Sequence, residues 1–415
     1  MAGIYIHIPF CKQACYYCDF HFSVSIRNKK ELIKALSKEM SLRKSEITEP
    51  IETIYFGGGT PSLLTIEELR FLIEEVYKNY QVVLNPEITL EANPDDLTIQ
   101  QINDLTETKI NRLSIGVQSF FEEDLQLMNR AHNATEAKKC IQEATKHFNN
   151  ITIDLIYGIP GMSDERWKEN LQIALGFGVP HISSYALTVE PKTALEKFIK
   201  TGKIPPVEET ISHNHYLILL EEMEKAGFVN YEFSNFGKEG YFSKNNTAYW
   251  QGKSYLGIGP SAHSYDGKIR SWNVRNNGKY IKSIIENELP IERETLTISN
   301  QYNEYIMTGL RTMWGVSFEK IENDFGEKYV DYLLKQSKKP LQEGLLKLVF
   351  ARSEESPDCY RATKKPYQIK RSSSNNEITS SLLKKEVSPK DGILKITKKG
   401  KFLSDGIASN LFYLE

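Results

Sequence analysis

The chain has 415 residues, 40% hydrophobic and 26% charged, with 52 Lys+Arg against 54 Asp+Glu. That balance gives no electrostatic ground for expecting nucleic acid or an anionic membrane surface as partner. No apolar run reaches transmembrane length, and MAGIYIHIPF has no basic segment ahead of its apolar residues. Neither a membrane span nor a secretory signal is expected, and the expected compartment is the reducing cytoplasm.

The elements follow a strand–helix rhythm. Residues 4–8, IYIHI, alternate and are rich in β-formers, and a helical stretch follows over 28–44. Residues 51–56 read as a strand and 65–80 as a helix, with Thr65 and Glu68 in capping-box spacing. Strands are expected at 87–92, 112–120, 151–159 and 181–189, each separated from the next by helical sequence. Strands alternating with helices argue for parallel βα units, which gather ligands at the carboxyl ends of the strands. After residue 190 the rhythm stops. A long helix is expected over 207–227, then a glycine- and aromatic-rich stretch over 231–267, then helices from about 295. The polar, Ser- and Lys-rich segment 351–392 is expected to be a mobile insertion, because it offers little apolar area to offset its ordering entropy. A short strand and a helix close the chain, suggesting a small C-terminal domain, winged-helix-like, with the insertion in its wing. The expected domains are therefore 1–230, 231–294 and 295–415.

Cys11, Cys15 and Cys18 stand just after the first strand and are three of only five cysteines. Cys140 and Cys359 are isolated and read as packed or surface thiols. Three clustered thiols suit several ends. A structural zinc ion would want a fourth ligand, which His7 or His21 could supply. Cys15 and Cys18 also form a C-x-x-C redox spacing. An iron–sulfur cluster held at three corners would leave one iron open to an outside ligand, and Phe10, Tyr16, Tyr17 and Phe20 would limit solvent access to it. Elsewhere, Gly57-Gly58-Gly59 would let backbone approach a ligand, although no G-K-[ST] follows and a P-loop is excluded. Glu91, Gln118 and Asp154 lie in or at the ends of expected strands, where a buried polar group needs a partner.

The spacing Cys-x-x-x-Cys-x-x-Cys, with YIHIPFC, YFGGGTPS, EANPDD, RLSIGVQSF, IDLIYGIPG, YEFSNF and GIGPSAHSY, resembles the radical S-adenosylmethionine (SAM) superfamily. Within it, the chain resembles the oxygen-independent coproporphyrinogen III oxidase-like branch. The resemblance implies a partial (β/α)₆ barrel and a [4Fe–4S] cluster on Cys11, Cys15 and Cys18, with SAM chelating the fourth iron. It implies SAM contacts from Tyr5, Gly58, Gly59, Thr60, Glu91, Gln118, Arg130 and Asp154. Ala186 and His263 fall where the related oxidase meets a second SAM. No residue is singled out as catalytic, and turnover of SAM is left open.

Two kinds of member fit this branch: the oxidase, which decarboxylates coproporphyrinogen III, and the HemW-type haem chaperone. The chaperone is favoured. Phe20 stands where the oxidase has a further cysteine, only ten residues precede Cys11, and SKNNTAYW resembles a His-Asn-x-x-Tyr-Trp signature. Asn246, Tyr249 and Trp250 match that signature, but Asn245 replaces its histidine, and a carboxamide is a poor axial ligand for haem iron. His213, His215 and His263 are alternative imidazoles. The implied partners are SAM, haem or another tetrapyrrole, haem-acceptor proteins and an electron donor.

Overall fold

The computed structural model describes residues 2–350 and 392–414. The expected insertion, residues 351–391 of it, lies outside the described residues. The chain divides into two compact units, Met1–Thr297 and Ile298–Glu415.

The first unit opens with β1 (Ala2–Ile8), α1 (Lys29–Leu42), β2 (Ile51–Gly58), α2 (Ile66–Asn79), β3 (Val82–Ala92) and α3 (Ile99–Thr106). It continues with β4 (Arg112–Gln118), α4 (Glu122–Leu127), α5 (Ala134–His147), β5 (Ile151–Tyr157), α6 (Asp164–Gly176) and β6 (His181–Ala186). Strands β1 to β6 are parallel and adjacent in sequence order, giving the partial (β/α)₆ barrel. The pleat explains how the strands sort their residues. Ile4, Ile6 and Ile8 are fully buried against the helical layer, while Tyr5 and His7 point to the opposite face. In β5, Ile151, Ile153 and Leu155 fill the core, and Thr152 and Asp154 alternate onto the inner face. Helices answer with apolar stripes, such as Leu32, Leu36 and Met40 on α1 and Leu69, Leu72 and Val76 on α2. The capping box of Thr65 and Glu68 is formed at the start of α2.

Beyond β6 come α7 (Ala194–Lys200), α8 (Glu209–Lys225), β7 (Val229–Glu232), β8 (Asn235–Gly237), α9 (Lys244–Trp250), β9 (Tyr255–Ile258), β10 (His263–Tyr265), β11 (Ile269–Asn273), α10 (Asn277–Ile285) and β12 (Ile291–Thr295). The aromatic stretch is therefore built into the same sheet. β8 and β7 extend it antiparallel beyond β6, and β9 pairs parallel with β1 on the other side. β10, β11 and β12 then complete a sheet of twelve strands. Strands of three to five residues interrupted by glycine and proline carry too little periodicity to be seen in sequence.

A buried carboxylate fastens this second edge to the barrel. Glu39 of α1 accepts from Arg43 Nη1 at 2.9 Å, Asn273 Nδ2 at 2.8 Å, the Gly259 amide at 2.8 Å and the Tyr280 hydroxyl at 2.5 Å. Arg43 in turn donates to the Gly257 carbonyl at 2.8 Å and Ser264 Oγ at 3.1 Å.

The second unit contains α11 (Ile298–Leu310), β13 (Val316–Ser317), α12 (Phe318–Phe325), α13 (Glu327–Gln336), α14 (Lys338–Gln342), β14 (Leu346–Phe350), β15 (Gly392–Ile396) and α15 (Ser404–Ser409). Its three strands order as β13-β15-β14, all antiparallel. Tyr302, Ile306, Phe318, Ile321, Leu333 and Leu394 form its core. The pairing of Phe350 with Gly392 brings the two ends of the expected insertion side by side.

Candidate functional site

The cysteine loop leaves the carboxyl end of β1 and closes on itself. Ser23 donates its amide to the Pro9 carbonyl at 2.9 Å, and Cys11 donates to the Ser23 carbonyl at 3.1 Å. The loop is also pinned to the turn between α4 and α5. Tyr16 donates its amide to the Met128 carbonyl at 3.1 Å, and Asn129 Nδ2 donates to the Ala14 carbonyl at 2.7 Å. Asn129 takes a left-handed φ of 57° to make that turn, a conformation asparagine tolerates better than most residues. Cys11, Cys15 and Cys18 are free thiols of intermediate exposure.

A short chain of hydrogen bonds joins four of the expected site residues. Arg130 Nη1 donates to Cys15 Sγ at 3.3 Å, and its Nη2 donates to Asn93 Oδ1 and the Gly116 carbonyl, both at 2.7 Å. Asn93 Nδ2 donates to Thr60 Oγ1 at 3.2 Å, and Thr60 is hydrogen-bonded to the Cys11 thiol. Asn93 thus links β3 to the cysteines, a role that EANPDD in the sequence did not reveal. Asn129 was missed for the same reason: its partner is 115 residues away.

Glu91 accepts from Tyr55 Oη at 2.8 Å and from the Gly58 amide at 3.1 Å. Tyr5 stacks on Tyr55 with ring centroids 6.1 Å apart and is hydrogen-bonded through its hydroxyl to His7 Nδ1 at 3.1 Å. Asp154 accepts from Ser114 Oγ at 3.1 Å. Burial pushes Glu91 up to about 7 and Asp154 up to about 6, with the charge of Asp154 adding to the effect on Glu91. Arg112, buried on β4, lies close enough to act on both carboxylates, and its Nε has no hydrogen-bond partner among the described residues. Gln118 ends β4 with a left-handed φ of 69°, so its side chain departs from the strand's alternation. The glycines have a steric reason of their own. Gly58 has φ 109°, and a Cβ there would meet the His7 ring at 2.5 Å; one on Gly59 would meet the Phe10 carbonyl at 2.6 Å. They let the end of β2 close against β1 and the cysteine loop.

Tyr5, Gly58, Gly59, Thr60, Glu91, Gln118 and Asp154 are therefore all on β1 to β5 or the turns that follow them, and Arg130 joins them from the α4–α5 turn. The signature-like stretch is elsewhere. Asn245 is 4% exposed and accepts from Thr53 Oγ1 at 3.2 Å. Glu87 Oε1 accepts the amides of Lys244 and Asn245, at 2.9 and 3.3 Å, satisfying the start of α9. Thr53 pairs with Gly3 near the amino end of β1. Asn245 and the cysteines thus lie at opposite ends of that strand, separated by about 20 Å on a rise of roughly 3.3 Å per residue. His215 is buried with Nδ1 accepting the Gly158 amide at 3.1 Å, whereas His263 is exposed at the start of β10. Ala186 ends β6.

A single metal ion needs its donors gathered about one point, and the described residues contain no such group of three His, Cys, Asp or Glu side chains. A cluster makes a different demand, since each thiolate caps its own iron. The donor set suits that demand: burial and the neighbouring thiols raise Cys18 to about 11, and burial raises Cys11 against the Thr60 hydrogen bond. The Cys11 and Cys18 thiolates are therefore disfavoured there without a cation, and iron binds the deprotonated form.

The barrel and its three-cysteine loop define the radical SAM class, and residues 5–174 match the radical SAM superfamily. Residues 296–352 match the HemN C-terminal domain. Over 340 residues the chain is 36% identical to a Bacillus subtilis protein called heme chaperone HemW, covering 79% of this chain and 87% of that one. A Lactococcus lactis protein of the same name is 35% identical, over 77% of this chain and 84% of its own. The chain belongs to the HemW family of radical SAM proteins. In three dimensions it matches the Escherichia coli coproporphyrinogen III oxidase HemN with a TM-score of 0.78 over 99% of this chain and 90% of that one. At 21% identity that likeness shows a shared fold. No helix among the described residues is long and apolar enough to cross a membrane. Radical SAM membership implies a [4Fe–4S] cluster and SAM as cofactors.

Proposed function

We propose that this protein binds haem and passes it to acceptor proteins, carrying a [4Fe–4S] cluster on Cys11, Cys15 and Cys18 with SAM beside it. The observation that carries this reading is the extent of similarity to proteins named heme chaperone, which runs through 79% of the chain. Phe20, at the position of the oxidase's further cysteine, supports the same choice. Bound in this loop, the cluster and SAM would supply one-electron chemistry, for which an electron donor is needed. The chain's own residues do the holding. Arg130 brings its guanidinium to Cys15, Asn93 fixes Arg130, and Tyr5, Glu91, Gln118 and Asp154 offer polar groups on the inner face for SAM, with Gly58, Gly59 and Thr60 at the end of β2. Residues 1–230 would form the cofactor-bearing part, 231–294 would help shape the haem site, and 295–415 would form the C-terminal part.

The test is anaerobic reconstitution followed by haem titration and transfer to an apo-haemoprotein. Stoichiometric haem uptake and its passage to the acceptor are expected. Conversion of coproporphyrinogen III to protoporphyrinogen IX by the same preparation would reject the chaperone reading in favour of the oxidase. Material with iron but no inorganic sulfide would reject the cluster.

A further inference from the structure

We propose that haem docks on the loop following the cysteines, with His21 Nδ1 as its axial ligand. This rests on the haem-binding reading above and assigns it a place. The chain has eight histidines, and most are committed. His7 uses Nδ1 with Tyr5 and Nε2 with the His21 carbonyl. His132, His181 and His215 are buried, each with a hydrogen bond to its ring. His147 and His213 sit on α5 and α8 rather than on the strand ends that carry the cysteine loop. The signature position, Asn245, is buried at the other end of β1 and already bonded to Thr53.

His21 and His263 remain at the carboxyl end of β1. His21 is the one prepared for iron. Its Nε2–H donates to Asn277 Oδ1 at 2.7 Å, which leaves the Nδ1 lone pair without a partner among the described residues. Protein imidazoles that bind metals are held in this way, one nitrogen fixed by an acceptor and the other presented. The surroundings match the rest of the ligand. Phe20, Val24 and Ile26 are 68%, 60% and 57% exposed, three large apolar side chains within seven residues of loop. Three such side chains so close together in the chain offer apolar surface to a ligand that reaches this loop. Arg275 donates to the Asp19 carbonyl and is close enough for its charge to act on His21. An apolar macrocycle would cover Phe20, Val24 and Ile26, place its iron on His21 and turn a propionate toward Arg275. His263 lacks this setting: it is exposed and packs on Trp272 beside the cationic Arg270.

The experiment uses the full chain with its cluster reconstituted, so that the cysteines are occupied, and titrates it with hemin by absorption and EPR. The unaltered chain is expected to give a histidine-ligated spectrum. His21→Ala should lose that signature and bind at least about tenfold more weakly. Asn277→Ala should keep the ligand type and bind about tenfold more weakly, the usual cost of removing an orienting partner. His263→Ala and Asn245→His should titrate like the unaltered chain. Melting curves and iron and sulfide counts check that each variant retains its fold and cluster. If His21→Ala does not fold, Asn277→Ala and the double variant Phe20→Ser/Val24→Ser decide, and unchanged titrations in both overturn the proposal. An unchanged His21→Ala spectrum, or loss of the signature in His263→Ala, overturns the assignment of His21 and leaves haem binding standing. An unaltered chain that takes up no haem overturns the chaperone reading and this site with it.

Discussion

Glu39 offers the clearest test of how the second edge of the sheet is held. It is fully buried beside Arg43, which is 1% exposed, and its two oxygens receive four donors. Glu39→Leu removes every acceptor at once. Breaking a buried ion pair from one side costs about 3–5 kcal/mol. Tyr280, Asn273 and the Gly259 amide would each be left buried without that acceptor, at about 1–3 kcal/mol apiece if nothing relaxed. Arg43 keeps Glu46 as a partner, with Nη2 to Oε2 at 2.7 Å, and Asn273 keeps the Gly259 carbonyl, so these costs do not simply add. The expected loss is at least about 4 kcal/mol. Glu39→Gln preserves shape but turns an NH₂ toward donors, and should cost about 2 kcal/mol. Urea unfolding followed by tryptophan fluorescence reads both, with Trp272 on β11 reporting from the affected edge. Glu39→Leu/Arg43→Leu should be less destabilised than the sum of the single variants. A Glu39→Leu loss under about 1 kcal/mol would show that the four hydrogen bonds do not hold β9, β11 and α10 in place.

Further outcomes can be checked separately. Cys15→Ala should lose the cluster, read as iron, sulfide and the reduced-cluster EPR signal; a full signal would contradict the ligand assignment. Arg130→Ala removes the donors to Cys15, Asn93 and Gly116, and should weaken SAM binding by calorimetry and shift the cluster potential, because hydrogen bonds to the sulfurs tune it. Burial raises Glu91 from an ordinary 4.5 to about 7. Over that interval the folded chain holds a proton that the unfolded chain has released, so stability falls as pH rises from 4.5 to 7. Glu91→Gln should flatten that slope in denaturation of the cluster-free chain, and an unchanged slope would assign the titration to another group. Asn245→His places a larger ring where Thr53 and the Gly3 backbone crowd the side chain, and should cost about 1–3 kcal/mol without creating a new haem ligand.

The sequence by itself determined the six parallel βα units, because alternation on one face of a strand and a 3.6-residue stripe on a helix are local patterns. It also determined the cysteine loop, since three cysteines within eight residues need no folding to become neighbours in the chain. Only the tertiary structure decided what surrounds that loop. Asn93 and Asn129 reach it from the end of β3 and the α4–α5 turn, and their side chains carry no sequence signal that says so; for Arg130, which the resemblance placed at the cofactor, the fold adds the hydrogen bond to Cys15. Only the fold showed that 231–267 divides between the two ends of β1, putting Asn245 in a buried cap beside Gly3 and His263 close enough to His7 for its charge to act there. The physical reason is the same in each case: these contacts join residues tens to hundreds of positions apart, and strand pairing and burial alone bring them together.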